Sequence, residues 1–442
     1  MAMHRWMLAI VLAVVAVGGY AGWQQWGPLP DTVAARVDGD VIPSATLDVF
    51  VVAARRSEPD ISRERVLKGL VENRLLAAVA NARDDHHAHP ERVGYDPVTR
   101  HEQQRFKLIR TAYADALRKA VNEDGMGNSL DSLTAPLALS REALAPMLTL
   151  EQALYSTMTD DQQQAASNYV LARYRFADDQ PEQTLTLWDP YRRQNIQLKV
   201  QMHNLNLDFM REAVKQQLTM AYVFYWFEQQ AGLSSAAIAA VDRSIDDALQ
   251  RESLMHDMGL MQDIHDDNPQ LRELAAQVSD GQIADYYAAN REQFTRVERV
   301  RARHLRVDSQ QQADRVHELI RDGLSFDQAV ADYSVAEDRQ QGGELGWIDR
   351  QSRQDHWTRA LAFVQPQGVV SPPFRSPGTD GAPYWELFLV EEKVTAYQSL
   401  DSKSVRYRAG RAVAQQQLQQ RFKSLLADVT EQASLRINRG VL

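Results

Sequence analysis

Cysteine is absent from the 442 residues, which excludes disulfides, thiolate metal sites and cysteine nucleophiles together. Basic charge is not in excess either. Fifty-nine Asp and Glu stand against 49 Lys and Arg, a net charge of -10, whereas a nucleic-acid partner asks for clustered cations. No serine-triad signature, phosphate-cradling glycine loop or nucleotide fingerprint occurs. Beyond the N-terminus the longest apolar run is LTMAYVFYWF at 218–227, and ten residues cannot span a bilayer. Hydrophobic residues at 44% and charged residues at 24% are those of an ordinary globular protein, which excludes a disordered chain and a polytopic membrane protein. At roughly 100–200 residues per domain the length implies two to four domains.

What is present begins with residues 6–23, WMLAIVLAVVAVGGYAGW, 18 residues without a charge and preceded by Arg5. As a helix this stretch rises ~27 Å, enough to cross the hydrocarbon core. A cleaved signal is the competing reading, with Gly19-Tyr20-Ala21 as its cleavage site. Arg5 lies on the short side and Asp31 is the first charge beyond, so under either reading the rest of the chain is exported across the inner membrane.

After the hinge at 27–30, RVDGDVIPSATLD reads as a strand, a tight turn at Asp38-Gly39, and a helix capped by Ser44. Val66, Leu67, Leu70, Val71, Leu75, Leu76 and Val79 recur at helical spacing and predict a helix over 62–83. Helical patterns continue over 99–123, 140–156, 160–176, 205–231, 234–250 and 269–277, so the first half is mostly α. Within it, 218–227 is either a core helix or an exposed greasy groove, the core being the expected place for so large an apolar run.

Near residue 296 the pattern changes. Residues 299–307 alternate as a strand, 310–321 and 326–333 read as helices, Gly342-Gly343 as a turn, and 384–394 as a β-rich run. These make a compact α+β unit. Beyond it come a long helix over 402–429 and SLRIN at 434–438, which alternates like a strand.

Two histidine-rich stretches invite a metal. They are Asp84, Asp85, His86, His87, His89 and Glu91, and then His256, Asp263, His265, Asp266 and Asp267. No rigid element is evident to fix ligand geometry in either. Both read as solvated loops, and neither metal nor cofactor is expected.

VRARHLRV at 300–307, LSFDQAVADYS at 324–334 and QGGELGW at 341–347 resemble, in content, order and spacing, the parvulin (PpiC-type) peptidyl-prolyl isomerase domain. The similarity covers about 298–395. RVDGDVIPSATLD and the later LVENRLL resemble the N-terminal chaperone region of SurA- and PpiD-type periplasmic folding factors. The resemblance implies a membrane anchor or signal at 1–27, a helical chaperone module at 28–277, a connector at 278–297, the parvulin domain at 298–395, and a C-terminal helix and strand at 396–442 that return to the chaperone module, where 435–438 would pair with 33–37. The fold class is then a mostly α chaperone module plus one α+β parvulin-like domain, with an N-terminal transmembrane helix.

The resemblance also implies a site of two histidines and a Cys or Asp beside an apolar proline pocket. His304 stands at the first histidine, on the strand face of Val300 and Ala302. Trp385 stands at the second, and Val335 or Ala336 at the Cys/Asp position, with Ser334 and Asp338 as the nearest polar groups. The catalytic hydrogen-bond set is thus incomplete. Leu345, Trp357 and Phe363 fall at the pocket positions, Trp357 across a one-residue insertion, and with Trp385 they are the candidate substrate-binding residues beside His304 as the candidate catalytic one. The function implied by this resemblance is that of an inner-membrane-anchored periplasmic chaperone for unfolded or newly exported polypeptides, with a degenerate parvulin domain of weak or no isomerase activity. The alternative is an active prolyl isomerase of the cell envelope. No nucleic acid is expected.

Overall fold

The structure is a computed structural model that describes residues 29–83, 96–123, 139–150, 158–177, 179–261, 268–350, 357–377 and 382–442. It divides into two compact units, Met1–Gln270 with Leu418–Leu442, and Leu271–Gln417.

In the first unit, strands Val33–Val37 and Asp40–Pro43 form a hairpin. Its turn places Asp38 and Gly39 at φ 50 and 93, the two positive values a tight hairpin requires. The far strand Leu435–Ile437 pairs antiparallel with Val33–Val37, and its Leu435 and Ile437 join the core of helices Ser44–Arg55 and Arg63–Asn81. Ser62 caps the second of these helices through its side chain. Ser44 does not cap the first: it is already helical, and its hydroxyl donates back to the Asp31 carbonyl.

The helix Leu207–Gln229 settles the run at 218–227. Its early residues Met210, Val214 and Leu218 pack with Leu144, Leu171 and Tyr191, while Val223, Trp226 and Phe227 pack with Ile109, Val241 and Ile245. The greasy run is core. The expected helix over 160–176 is shorter than its period suggests: it ends at Asn168, and Val170–Tyr174 is a strand paired with Gln183–Thr186. The β-rich sequence VLARY gains more from that ladder than from another helical turn. The pattern over 99–123 is two helices, Pro97–Ala112 and Ala114–Glu123, broken at Tyr113, which leaves helical geometry at φ -115 and ψ 27.

The second unit is built on a four-stranded sheet in the order Glu344–Asp349, Thr295–Val307, Trp385–Tyr397, Phe374–Arg375. Alternation along the two long strands sends side chains to opposite faces. Leu305, Val307 and Leu387 meet helices Gln310–Arg321 and Phe326–Tyr333. Val300, Ala302, Phe388 and Val390 meet Ala362 and Phe363 on the other side. Ser309 and Ser325 cap the two helices.

Among the described residues no helix is long and apolar enough to cross a membrane. The expected anchor at 6–23 and the histidine-rich loop at 84–91 lie outside the described residues, as do Asp263, His265, Asp266 and Asp267. Among those described, no three His, Asp or Glu side chains gather as a metal site.

Candidate functional site

His304 sits directly across the sheet from Phe388 and is only 5% exposed. Both ring nitrogens face carboxylates. Nδ1 lies 3.2 Å from Glu386 Oε1 and Nε2 lies 2.8 Å from Asp338 Oδ2. Arg306 binds the same Glu386 oxygen, with Nε at 3.0 Å and Nη2 at 2.8 Å.

Local backbone contacts bring Asp338 into reach. The buried Ser334 hydroxyl accepts from the Arg306 and Ala336 amides, and the Val335 amide donates to the Arg306 carbonyl, pinning the segment to the long strand. A 3-10 turn, Glu337–Gln341, then delivers Asp338, whose carbonyl accepts the Gly343 amide at 3.0 Å. Gly343 in turn accepts the His304 amide at 2.8 Å. The Asp338 side chain is therefore set by the strand it serves.

The electrostatics are decided by competition. Burial pulls the His304 imidazole down, but Glu386 and then Asp338 outweigh it and hold it above the ordinary histidine value of 6.5. Burial pushes Glu386 up, and His304 and Arg306 together hold it below the ordinary carboxyl value of 4.5. The raised histidine stabilises the fold fully below 6.5, and that contribution is lost as pH rises through its folded value. The depressed carboxyl stabilises above 4.5, and that contribution is lost as pH falls through its own folded value. Both are whole between 4.5 and 6.5. The melting-temperature difference between the chain and a His304→Leu variant is expected to be largest in that window and to shrink above it. A difference that grows from pH 6 to pH 9 would refute the charged-histidine assignment.

The apolar side of the site lies on the same sheet face. Leu345 and Phe363 share a cluster with Val300, Ala302, Ile348 and Phe388, and Phe374 stacks on Phe388 at 5.6 Å between ring centroids. Arg350 lies 4.5 Å above the Phe363 ring, and Lys393 Nζ donates to the Phe363 carbonyl at 3.2 Å. Trp357 opens the helix Trp357–Ala362, and its side chain is not among those described. Trp385 is not brought to this site. It pairs with Val307 and packs in the cluster of the opposite face, near Leu305 and Val330. One residue of strand parity separates the two faces, so Glu386, not Trp385, meets His304. Neither Val335, half exposed, nor Ala336 contacts the ring by hydrogen bond.

Sequence reasoning missed Glu386, Phe374 and Phe388. A signal for Glu386 was available: it shares parity with Phe388 and Val390, so a strand that buries those two buries a carboxylate as well.

Residues 295–379 match the Rotamase family model, described as the PPIC-type PPIASE domain. The chain carries a PpiC-type peptidyl-prolyl isomerase domain. The matched residues hold His304, Asp338, Leu345 and Phe363, while Glu386 lies just beyond them. Foldase protein PrsA of Bacillus subtilis (strain 168) is 26% identical over 99 residues, which are 22% of this chain and 32% of that relative. The match thus spans about a third of the relative's length. Solved structures similar to this chain include a Campylobacter jejuni protein from work on PEB4 and the periplasmic protein Cj1289, described as SurA-like chaperones. It is 10% identical, with 92% of this chain and 99% of that one covered and a TM-score of 0.29. Foldase protein PrsA from Streptococcus pneumoniae str. Canada MDR_19A is 16% identical, with 51% and 73% covered and a TM-score of 0.21. Beside this PpiC-type domain the remaining described chain is mostly helical.

Proposed function

We propose that this chain is a folding factor of the cell envelope that binds non-native exported polypeptides, held at the inner membrane by residues 6–23 as an uncleaved anchor. The observation that carries the reading is the match of residues 295–379 to the PPIC-type domain, beside a 99-residue similarity to a foldase. With 218–227 packed in the core, client holding is not assigned to a greasy groove on that helix. The uncharged stretch after Arg5 supports the anchor, which predicts a chain that stays in membranes washed with alkaline carbonate.

A second reading is an active prolyl isomerase, favoured by Asp338 Oδ2 standing 2.8 Å from His304 Nε2. Rotation about the X-Pro bond faces a barrier of ~18–20 kcal/mol held up by amide resonance. No covalent step is required. Gripping the proline ring against Phe363 and favouring the twisted amide lowers the barrier by differential binding.

One experiment separates the two. A chain starting at residue 28 is expected to suppress aggregation of a denatured client, with the effect retained after removal of 298–395 if the helical module does the holding. In a proline-peptide assay the same chain accelerates isomerisation only under the second reading, and Phe363→Ala lowers that rate about tenfold or more by emptying the pocket. No suppression in any form of the chain would remove the chaperone proposal.

A further inference from the structure

Glu386 is a fully buried carboxylate at a position where packing asks for none. It lies on the sheet face that Phe388 and Val390 continue, with no exposed surface. One of its oxygens, Oε1, receives His304 and two nitrogens of Arg306. The other, Oε2, is buried with no hydrogen bond among the described residues, as is Asp338 Oδ1. Each such orphaned oxygen leaves desolvation uncompensated, so an apolar residue at 386 would suit the sheet better than this one.

The geometry identifies what the cost supports. A neutral imidazole keeps one nitrogen as an acceptor, and here that lone pair would face a carboxylate oxygen at either 2.8 or 3.2 Å. With both carboxylates ionised, only the doubly protonated ring satisfies both contacts. The charged groups around the ring are Glu386 from the neighbouring strand, Asp338 from the 3-10 turn, and Arg306 acting through Glu386. Ser334 and Gly343 supply neutral backbone-holding contacts.

We propose that Glu386 is a positioning residue of the PpiC-type site: it takes the Nδ1–H of His304, fixes the ring plane and aims Nε2–H at Asp338. Arg306, bound to the same oxygen, holds that carboxylate as an anion and offsets part of its negative charge, so that it tempers the pull on the imidazole protons. The inference rests on the prolyl-isomerase reading for its kinetic consequence alone.

The test uses the full chain in detergent, labelled with ¹³Cε1-histidine, with the His304 resonance assigned by its loss in His304→Gln. Glu386→Gln is expected to weaken proton binding at His304 about tenfold, Glu386→Asp to recover most of it, and Arg306→Gln to strengthen it. The opposite directions of Glu386→Gln and Arg306→Gln distinguish positioning by charge from general loosening of the sheet. Should Glu386→Gln fail to fold, Arg306→Gln and Glu386→Asp decide. A His304 titration within twofold of the unaltered chain in every folded variant overturns the proposal. On a proline peptide, Glu386→Gln is expected to lower kcat rather than raise KM, with Glu386→Asp restoring it. An unaltered chain that does not accelerate the peptide at all ends the isomerase reading and leaves this inference to the titration.

Discussion

Gly343→Ala is expected to abolish the ordered site and to lower the melting temperature of the second unit by roughly 10 °C or more. Gly343 has φ +67, and a methyl group placed there would lie 2.0 Å from the His304 carbonyl oxygen and 3.2 Å from its carbon. Those atoms belong to the central strand and cannot withdraw, because the His304 amide is itself bonded to the Gly343 carbonyl at 2.8 Å. The substitution therefore adds a backbone clash to a left-handed conformation that alone costs about 1–2 kcal/mol. Gly346 is the internal control. It has the same φ of +67 with nothing among the described residues within 4 Å of the added methyl, so Gly346→Ala carries the conformational cost only. Thermal unfolding of the two variants followed by near-ultraviolet circular dichroism checks this. Equal losses would mean that the close approach of the turn to His304 is not what holds the site.

Ending the chain at Ala433 is the second large effect, and it acts on the first unit. The removed residues include Leu435 and Ile437, at 5% and 3% exposure, packed among Ala35, Val37 and Leu67. Each such side chain contributes about 1.5–3 kcal/mol by burial. The cut also removes polar ties across the whole length of the chain. Asn438 Nδ2 donates to the carbonyls of Leu29, Pro30 and Val33 at 3.2, 3.1 and 3.1 Å. Arg63 Nε donates to the Val441 carbonyl at 2.6 Å, and the Asp38 amide to that of Ser434 at 3.0 Å. Hydrogen-exchange mass spectrometry is expected to show loss of protection at 33–37 and along Arg63–Asn81, with client holding reduced in parallel. Unchanged protection at 33–37 would show that the hairpin stands without its third strand.

The two effects differ in how far they could be read ahead. The alternation of each end was legible, but the pairing of 33–37 with the C-terminal strand followed only from the layout that the resemblance implied, because neither segment contains its partner. The helices 63–81, 310–321 and 326–333 were legible because their apolar period is carried within each segment. The strand Val170–Tyr174 was not, since five residues beside a good helix pattern become a strand only through Gln183–Thr186, a partner that local propensity does not contain.

By itself the sequence determined the absence of thiol chemistry, the acidic balance, the uncharged N-terminal stretch, and a PpiC-type domain recognisable from its three motifs. It also determined that His304 shares a strand face with Val300 and Ala302. Only the tertiary structure decided what surrounds the imidazole. Asp338 arrives by a turn closed on the strand's own backbone, Glu386 by an interstrand register, and Trp385 is sent to the other face by one step of the same register. Register is a relation between segments some eighty residues apart. A single-residue slip exchanges a carboxylate for an indole, and no local pattern carries that choice.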